Sequence, residues 1–272
     1  MITVTGAGGN VGRPLVQALT AAGEQVTVVA RRPAAAASPG VRYQQADLAE
    51  PDSLKPALDG AQALFLLVAG QEPGRIIEVA RASGVRRVVL LSSQGAGTRP
   101  AAYQPAAAFE AAVRASGLAW TVLRPGGFDT NALAWAPLVR AERTVAAPFG
   151  DTGLPVVDPA DIATAAAAVL RDAAHAGRTY ELTGPAPVSP RQQAAAIGAA
   201  LGEPVGFTEL TREQARAQFT QFMPGPVADA TLGILGDPRP AEQRVSPDLA
   251  RLLDGPAASF ADWAARHAAA FR

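Results

Sequence analysis

The chain has 272 residues, 49% of them hydrophobic, which suits one large α/β domain with a modest appendage. Its 24 basic and 24 acidic side chains leave no net charge that would attract nucleic acid or a membrane surface. The absence of cysteine excludes disulfides and thiolate catalysis, and two distant histidines, His175 and His267, argue against a metal centre. No charged leader precedes the first strand and no apolar run could span a bilayer, so we expect a cytoplasmic protein, monomeric or homodimeric.

Strand-like and helix-like segments alternate through the first half. The predicted strands are Ile2–Thr5, Gln25–Ala30, Val41–Gln45, Ala63–Val68, Arg87–Leu91 and Ala119–Leu123. The predicted helices between them are Val11–Ala22, Pro51–Leu58, Gly74–Ser83 and Gln104–Ser116. This alternation predicts right-handed βαβ units and an α/β fold with a doubly wound parallel sheet.

The regularity fades after Arg124–Gly127. The predicted helices there are Asn131–Arg140, a helix from Asp158 to Leu170, a helix from Ser189 to Leu201, and Phe260–Phe271; the predicted strands are Arg178–Leu182 and Val205–Glu209. We therefore expect residues 1–150 to form the sheet domain, with residues 158–184 returning to it. Residues 185–272 are expected to form a small, mostly helical substrate lobe.

The most informative motif is a glycine-rich loop between the first strand and the first helix. Gly6, Gly9 and Gly12 are spaced as in dinucleotide-binding loops, which need a tight turn, close approach of the backbone to a pyrophosphate, and close packing of helix on sheet. Phosphate then lies at the positive end of the helix dipole. A glycine-rich turn that binds nothing is the alternative, and the position of the loop favours a Rossmann-type nucleotide site that also includes Gly8, Asn10 and Val11.

The end of the second strand bears on the choice of cofactor. NAD sites usually place an acidic residue there to hold the ribose hydroxyls, but this chain has Arg31 and Arg32. Guanidinium groups pair with a 2′-phosphate and stack on adenine, so we expect NADP(H) in preference to NAD(H), although the two could simply be solvated arginines. Asp47 and Leu48, after the third strand, are expected beside the adenine.

Several further motifs accompany this loop along nearly the whole chain. They are T-G-A-G-G-N-V-G at Thr5–Gly12, A-R-x-P at Ala30–Pro33, A-D-L at Ala46–Leu48, G-V-R-R-V-V-L-L-S-S at Gly84–Ser93, the segment Glu110–Phe128 with S-G-L-A-W-T-V-L-R-P, D-P-A-D-I-A at Asp158–Ala163, and Y-E-L-T-G at Tyr180–Gly184. With these motifs the chain resembles the NmrA-like group of atypical short-chain dehydrogenases/reductases, which includes NADPH-dependent quinone reductases and redox-sensing regulators.

The resemblance implies further site residues. The loops that follow the fourth and fifth strands would line the cofactor, and the loop after the sixth would lie against the nicotinamide and form a wall of the substrate pocket. By position these are Val68, Ala69, Gly70, Ser92, Ser93 and Pro125 for the cofactor, and Gly126, Phe128 and Trp135 for the substrate. The two serines could equally form a turn at the end of a strand, and Phe128 and Trp135 could be core residues.

The catalytic pair of typical short-chain dehydrogenases is missing from the sequence. Those enzymes use a tyrosine whose pKa is lowered by a lysine four residues later. The candidate here is Tyr103, but position 107 is alanine and Lys55 is the only lysine. The catalytic serine position corresponds to Gln94, and Ala106 replaces a histidine found in many quinone-reductase relatives. Tyr103, Gln94 and Asp129 are the candidates for a substituted role.

Three functions therefore fit the sequence, each with a small-molecule ligand. The first is reduction of a quinone or conjugated carbonyl compound by hydride from NADPH, since the resulting oxyanion can be stabilised without a dedicated base. The second is a non-catalytic NADP(H) sensor that signals through a partner, and the third is a non-redox isomerase, dehydratase or cyclase. The fold alone does not separate them.

Overall fold

A computed structural model describes residues 1–32 and 39–272 of the chain. Its strands are β1 (Ile2–Thr5), β2 (Val26–Ala30), β3 (Val41–Gln45), β4 (Ala63–Leu67), β5 (Arg87–Leu91), β6 (Ala119–Pro125), β7 (Thr144–Ala147), β8 (Arg178–Leu182) and β9 (Gly206–Glu209). Its α-helices are α1 (Gly12–Ala21), α2 (Lys55–Leu58), α3 (Pro73–Ala82), α4 (Gln94–Thr98), α5 (Gln104–Arg114), α6 (Ala136–Glu142), α7 (Pro159–Arg171), α8 (Pro190–Leu201), α9 (Arg212–Phe219), α10 (Gly225–Gly236), α11 (Pro240–Gln243), α12 (Asp248–Leu253) and α13 (Phe260–Arg266). Short 3₁₀ helices cover Pro51–Leu54, Asp129–Trp135, Ala173–His175 and Ala268–Phe271.

The main sheet has seven parallel strands in the order β3-β2-β1-β4-β5-β6-β8. The chain winds outward from β1 to one edge and then from β4 to the other, so the predicted doubly wound Rossmann-type sheet is confirmed. Ligands of such sheets bind at the carboxyl ends of the strands, next to the point where the winding direction changes. That point lies between β1 and β4.

Helices cover both faces of this sheet. Leu64 and Leu66 of β4 are buried beneath apolar side chains of α2, α3 and α5, while Phe65, between them, is buried on the opposite face. On that face α7 packs on α1 and on the central strands. Strands β4 and β5 are therefore almost wholly apolar, as is usual for parallel strands covered on both faces, while the buried Thr3 and Thr5 of β1 donate to backbone carbonyl oxygens.

The chain divides into two compact units. The first comprises Met1–Pro125, Pro159–Leu182 and Asp248–Gly255, and the second comprises Gly126–Asp158, Thr183–Pro247 and Pro256–Arg272. The second unit contains the parallel pair β7 and β9 and a core formed by apolar side chains of α6, α8 and α13, among which Trp263 is fully buried. The boundary between these units is not at residue 150. The chain leaves the first unit after Pro125, returns to it for Pro159–Leu182, and contributes α12 to it again.

Four elements differ from the sequence prediction. The helix predicted over Pro51–Leu58 is a 3₁₀ helix up to Leu54 and becomes α-helical, as α2, only from Lys55. The sixth strand continues through Arg124 and Pro125, which were predicted to lie in a loop, because β8 pairs with it as far as Pro125 and Leu182. The helix predicted over Asn131–Arg140 is a 3₁₀ helix up to Trp135, and α6 starts anew with a proline in its first turn. The helix predicted over Phe260–Phe271 likewise ends at Arg266 and continues as a 3₁₀ turn.

Two elements were absent from the prediction. Helix α4 follows β5 directly although two of its five residues are glycine, and strand β7 pairs with β9 in the second unit. Both depend on tertiary contacts that local propensity does not report. Within the described part of the chain, no helix is long and apolar enough to cross a membrane.

Candidate cofactor and active site

The glycine loop forms a tight turn between β1 and α1. Gly6 has a φ of 66°, a conformation that glycine adopts without strain, and its carbonyl oxygen accepts a hydrogen bond of 3.0 Å from the Gly9 backbone N–H. A Cβ atom on Gly12 would overlap that same carbonyl and would lie 2.6 Å from the Cα atom of Ala7. The helix can therefore start this close to the turn only because position 12 is glycine.

The geometry of the loop fits a phosphate group. Helix α1 begins with Gly12 and no side chain caps it. The Arg13 and Leu15 N–H groups donate to the Gly9 and Val11 carbonyl oxygens and position 14 is proline, so the N–H groups of Val11 and Gly12 are the ones at the helix start that face the loop. Gly8, Gly9 and Asn10 are exposed, and nothing lies within 4 Å of a Cβ atom built on Gly8. An uncapped helix start behind an exposed, glycine-rich turn is suited to bind an anion. The six loop residues predicted from sequence thus lie together.

The two arginines at the tip of β2 are exposed. Arg31 and Arg32 follow the last residue of the strand, and together with Ala30 they line an open cavity of about 500 Å³. The Gln45 side-chain amide at the end of β3 donates a hydrogen bond of 3.2 Å to the Arg31 carbonyl oxygen. Pro33, the last residue of the A-R-x-P motif, lies outside the described residues. Two exposed cations beside a cavity can pair with a phosphate at the end of β2.

The predicted adenine loop and the loop after β4 touch each other. Gly70 has a φ of 86°, and a Cβ atom on it would overlap the Leu48 carbonyl oxygen. The Asp47 carboxylate accepts a hydrogen bond of 2.9 Å from the Ala49 N–H, which shapes this turn. Val68 and Leu48 both pack, partly buried, against the core beneath α3. Asp47, Leu48 and Gly70 are therefore adjacent in space.

The segment after β5 carries three of the predicted residues. Ser92 is nearly buried at the strand end, and Ser93 starts α4 by accepting a hydrogen bond of 3.2 Å from the Gly95 N–H. Gln94 is the first residue of α4 and is also nearly buried. Ser93 thus caps α4, and this hydrogen bond uses the hydroxyl oxygen as an acceptor, not its hydrogen as a donor.

The aromatic ring of Tyr103 lies against α4. A Cβ atom on Gly95 would lie 2.5 Å from the ring, so glycine is required for this contact. Tyr103 precedes α5 and its side chain is half-buried. The two candidate catalytic residues, Tyr103 and Gln94, are therefore associated with the same short helix.

A buried charge cluster lies behind this segment. The Glu110 carboxylate, 3% exposed, accepts hydrogen bonds from Ser92 Oγ at 2.6 Å and from Arg124 Nε and Nη2 at 2.9 and 2.7 Å. Arg114 Nη2 lies 3.0 Å from the same carboxylate. Burial is the largest influence on the pKa of Glu110 and acts to raise it, but the hydrogen bonds from Arg124 and Ser92 and the two positive charges outweigh it and lower that pKa. The hydrogen bond to Glu110 in turn raises the pKa of Arg124.

Sequence reasoning did not select Glu110 or Arg124. A signal was available, because Glu110 lies on the same face of α5 as Ala106 and Val113, which are buried. A carboxylate on a buried helical face needs a partner of opposite charge. The sequence did not indicate which of the chain's arginines supplies it.

The predicted substrate residues Gly126, Phe128 and Trp135 belong to the second unit. The predicted cofactor residue Pro125 ends β6 and belongs to the first unit. Phe128 pairs through its backbone with Val157, and Gly127 accepts a hydrogen bond of 2.8 Å from the Val157 N–H. Trp135 is half-buried and packs against the core of the second unit. Asp129, buried beside Phe128, also lies in this segment.

Each of the two histidines contacts an aromatic side chain. His175 Nδ1 lies 2.8 Å from the Tyr180 hydroxyl, next to the start of β8 and thus at the amino end of the strands. The His267 ring stacks on Trp263 with a centroid separation of 4.5 Å. No group of three or more His, Asp or Glu side chains within the described residues is arranged to hold a metal ion.

The doubly wound sheet and the glycine loop at its switch point define the class of dinucleotide-binding Rossmann proteins. Residues 6–173 match the model of a family described as NAD(P)H-binding. The chain is 38% identical to a (4-alkanoyl-5-oxo-2,5-dihydrofuran-3-yl)methyl phosphate reductase of Streptomyces griseus, over 100% of this chain and 99% of that protein. It is 33% identical to an NAD(P)H azoreductase of Xenophilus azovorans, over 100% and 99% of the two chains.

A solved structure agrees with these sequence matches. The NADPH-dependent quinone oxidoreductase of Escherichia coli, solved in complex with NADPH, superposes with a TM-score of 0.84 at 27% identity over 98% of this chain and 99% of that chain. The chain belongs to the NAD(P)H-binding family, and its resemblance to the NmrA-like group is confirmed.

Proposed function

We propose that the protein is an NADPH-dependent reductase that transfers hydride to a quinone or a conjugated carbonyl compound. The observation that carries the proposal is the uncapped start of α1 behind the closely packed glycine turn, a site for a pyrophosphate in a chain whose full-length relatives are named as reductases. The quinone oxidoreductase with the same fold supports this class of acceptor.

The glycine loop would hold the cofactor by its pyrophosphate. The backbone N–H groups of Val11 and Gly12 at the start of α1, together with the exposed backbone of Gly8 and Asn10, would donate to the phosphate oxygens. Position 8 has open space where a side chain would otherwise stand, as close approach by a ligand requires.

Cofactor choice would depend on the tip of β2. Arg31 and Arg32 would pair with the 2′-phosphate of NADPH, which NADH lacks, and no acidic residue stands there to hold two ribose hydroxyls. Asp47, Leu48 and Gly70 would surround the adenine half, with Val68 and Ala69 along the path of the cofactor.

Bound NADPH supplies the hydride. The chain's own residues would orient the nicotinamide end through Ser92, Ser93 and Pro125, and would stabilise the oxygen that gains negative charge. Tyr103 and Gln94 are the proposed hydrogen-bond donors to that oxygen. Quinones and conjugated carbonyls suit such a site because they form stabilised oxyanions, whereas oxidation of a simple alcohol would need the missing tyrosine–lysine pair. Gly126, Phe128 and Trp135 are the proposed contacts to the acceptor.

Steady-state oxidation of NADPH with a panel of quinones, an azo dye and an unsaturated lactone tests the proposal. Gly9→Asp places a carboxylate where the phosphate would bind and should abolish turnover with every acceptor. Gly255→Asp is the control for the added carboxylate, since a Cβ atom there meets nothing within 4 Å; Gly8→Asp, which has the same open space, repeats the test inside the loop. Tight NADPH binding without turnover of any acceptor would instead indicate a sensor. Product formation that survives Gly9→Asp would indicate a non-redox enzyme.

A further inference from the structure

We propose that Glu110 is a positioning residue: through Ser92 and Arg124 it holds the segment Ser92–Gln94 in the orientation that the nicotinamide half of the cofactor requires. The inference rests on the proposed function, because it assigns the site beside that segment to NADPH. It concerns residues of the first unit only.

The Glu110 carboxylate joins three elements. It belongs to α5, its Oε1 accepts from Ser92 at the end of β5, and both of its oxygens accept from Arg124 on the neighbouring strand β6. The two contacts to Arg124 form a bidentate pair, which fixes the angle of the guanidinium plane as well as its distance. The carboxyl ends of two adjacent strands are thereby held at a set spacing from one helix.

The direction of the hydrogen bond at Ser92 follows from the charge on Glu110. A carboxylate whose pKa is lowered by two arginines stays ionised near neutral pH and can only accept, so the Ser92 hydroxyl must donate to it. The remaining capacity of Ser92 Oγ is to accept. Ser92 can therefore receive a hydrogen bond from a hydroxyl of the ligand, and it is not available as a proton donor to an acceptor carbonyl.

Arg124 extends the same network to α4. Its guanidinium lies against Gly97, where a Cβ atom would overlap Nη1 and would lie 3.0 Å from Cζ. Two residues earlier, Gly95 has the same relationship to the ring of Tyr103. Glycine is unfavourable in a helix, so its presence twice in a helix of five residues reflects these two close contacts. Helix α4, which begins with Gln94, thus rests on Arg124 and Tyr103.

A purely structural salt bridge would also explain the burial of Glu110, so the test must separate position from stability. Glu110→Gln keeps the shape and removes the charge that orients Ser92 and Arg124. Glu78→Gln is the matched control, because Glu78 forms an exposed ion pair with Arg75 on α3. For each variant the dissociation constants of NADPH and of 2′,5′-ADP are measured at a temperature well below unfolding, together with turnover.

The two ligands separate the halves of the site. In Glu110→Gln, NADPH should bind about tenfold more weakly and turnover should fall by a similar or larger factor, because misplacement by about 1 Å can cost on the order of 100-fold. The affinity for 2′,5′-ADP, which lacks the nicotinamide and its ribose, should be unchanged. Glu78→Gln should alter neither ligand. Equal weakening of both ligands, or no change in either, in Glu110→Gln would overturn the inference.

A second variant covers the case in which Glu110→Gln does not fold. Gly97→Ala leaves the Glu110 carboxylate intact but displaces the Arg124 guanidinium. It should therefore weaken the binding of NADPH and leave the binding of 2′,5′-ADP unchanged. Equal weakening of both ligands, or no change in either, would overturn the inference. If the wild-type protein binds NADPH and shows the selective effect but turns over no acceptor, the proposed reductase function fails while the positioning role of Glu110 stands.

Discussion

The carbonyl oxygen of Gly6 occupies the space that a side chain at position 12 would need. Because the atoms that a Cβ at position 12 would meet all belong to the backbone of Gly6 and Ala7, Gly12→Ala can be accommodated only if the turn or the helix moves. We expect the variant to lose about 1–3 kcal/mol of unfolding free energy, the usual cost of overpacking, and to bind NADPH more weakly. Chemical denaturation and NADPH titration measure the two effects. Wild-type stability would contradict this close packing.

Substitution of Gly8 in the same loop should affect NADPH binding without affecting stability. A Cβ atom there meets nothing within 4 Å, so Gly8→Ala should leave the free energy of unfolding unchanged. Its affinity for NADPH should nevertheless fall, because the added methyl group takes the space through which the backbone approaches the phosphates. Gly255→Ala, also in open space, is the control for both measurements. If Gly8→Ala binds NADPH as the wild type does, the pyrophosphate does not lie against this loop.

The paired arginines at the end of β2 should govern cofactor selectivity. Hydrogen bonds to charged groups are worth about 1.5–3 kcal/mol, so Arg31→Ala/Arg32→Ala should weaken NADPH by roughly 10- to 100-fold. NADH, which has no 2′-phosphate, should bind the variant and the wild type alike. Arg81→Ala, at an exposed position on α3, serves as the control. Equal loss for NADPH and NADH would show that the arginines do not read the 2′-phosphate.

The ionised state of Glu110 should appear in the pH dependence of stability. Because its pKa is lowered in the folded protein, it stabilises the fold above the pKa of an unfolded glutamate, and that contribution is lost as pH falls through the folded value. At neutral pH the free energy of unfolding of Glu110→Gln should be about 3 kcal/mol lower than that of the wild type, because the variant leaves the partly buried guanidinium of Arg124 without its anionic partner. The difference between variant and wild type should shrink on acidification below the pKa of a free glutamate. A difference that stays unchanged below that pKa would contradict an ionised Glu110.

The hydroxyl of Tyr103 should matter for turnover and not for cofactor binding. Tyr103→Phe keeps the ring that lies on Gly95, so helix α4 should stay in place. If the hydroxyl supports the oxygen that accepts charge, turnover should fall by about tenfold or more while the NADPH dissociation constant is unchanged. Tyr43→Phe, at the half-buried edge strand β3, is the control. Unchanged turnover in Tyr103→Phe would assign the role to Gln94 or to water.

The parts of the fold that could be predicted are those encoded locally. Alternating strands and helices indicated the parallel sheet, and the predicted start of a helix at Ser189 is present as a capping box with Gln192. Helix α4 could not be predicted, because its glycines are helix-breaking by propensity and are explained only by the approach of Tyr103 and Arg124.

The same distinction applies to the candidate site. The glycine loop is contiguous in sequence, so its residues were recognised together. The ion pair between Glu110 and Arg124 joins helix α5 to strand β6, and its geometry depends on how that helix packs on the strand. Composition and periodicity carry no information about such a pairing, although the buried position of Glu110 on α5 indicated that some partner must exist.

Hydride transfer from NADPH to an acceptor can be observed in a single turnover. The NADPH-loaded protein is mixed anaerobically with one equivalent of a quinone, and the loss of NADPH absorbance is followed in time. We expect rapid oxidation of one NADPH for each quinone reduced, slowed by 4-deuterated NADPH and absent in Gly9→Asp. Bound NADPH that remains reduced in the presence of quinone and every other acceptor tried would contradict it.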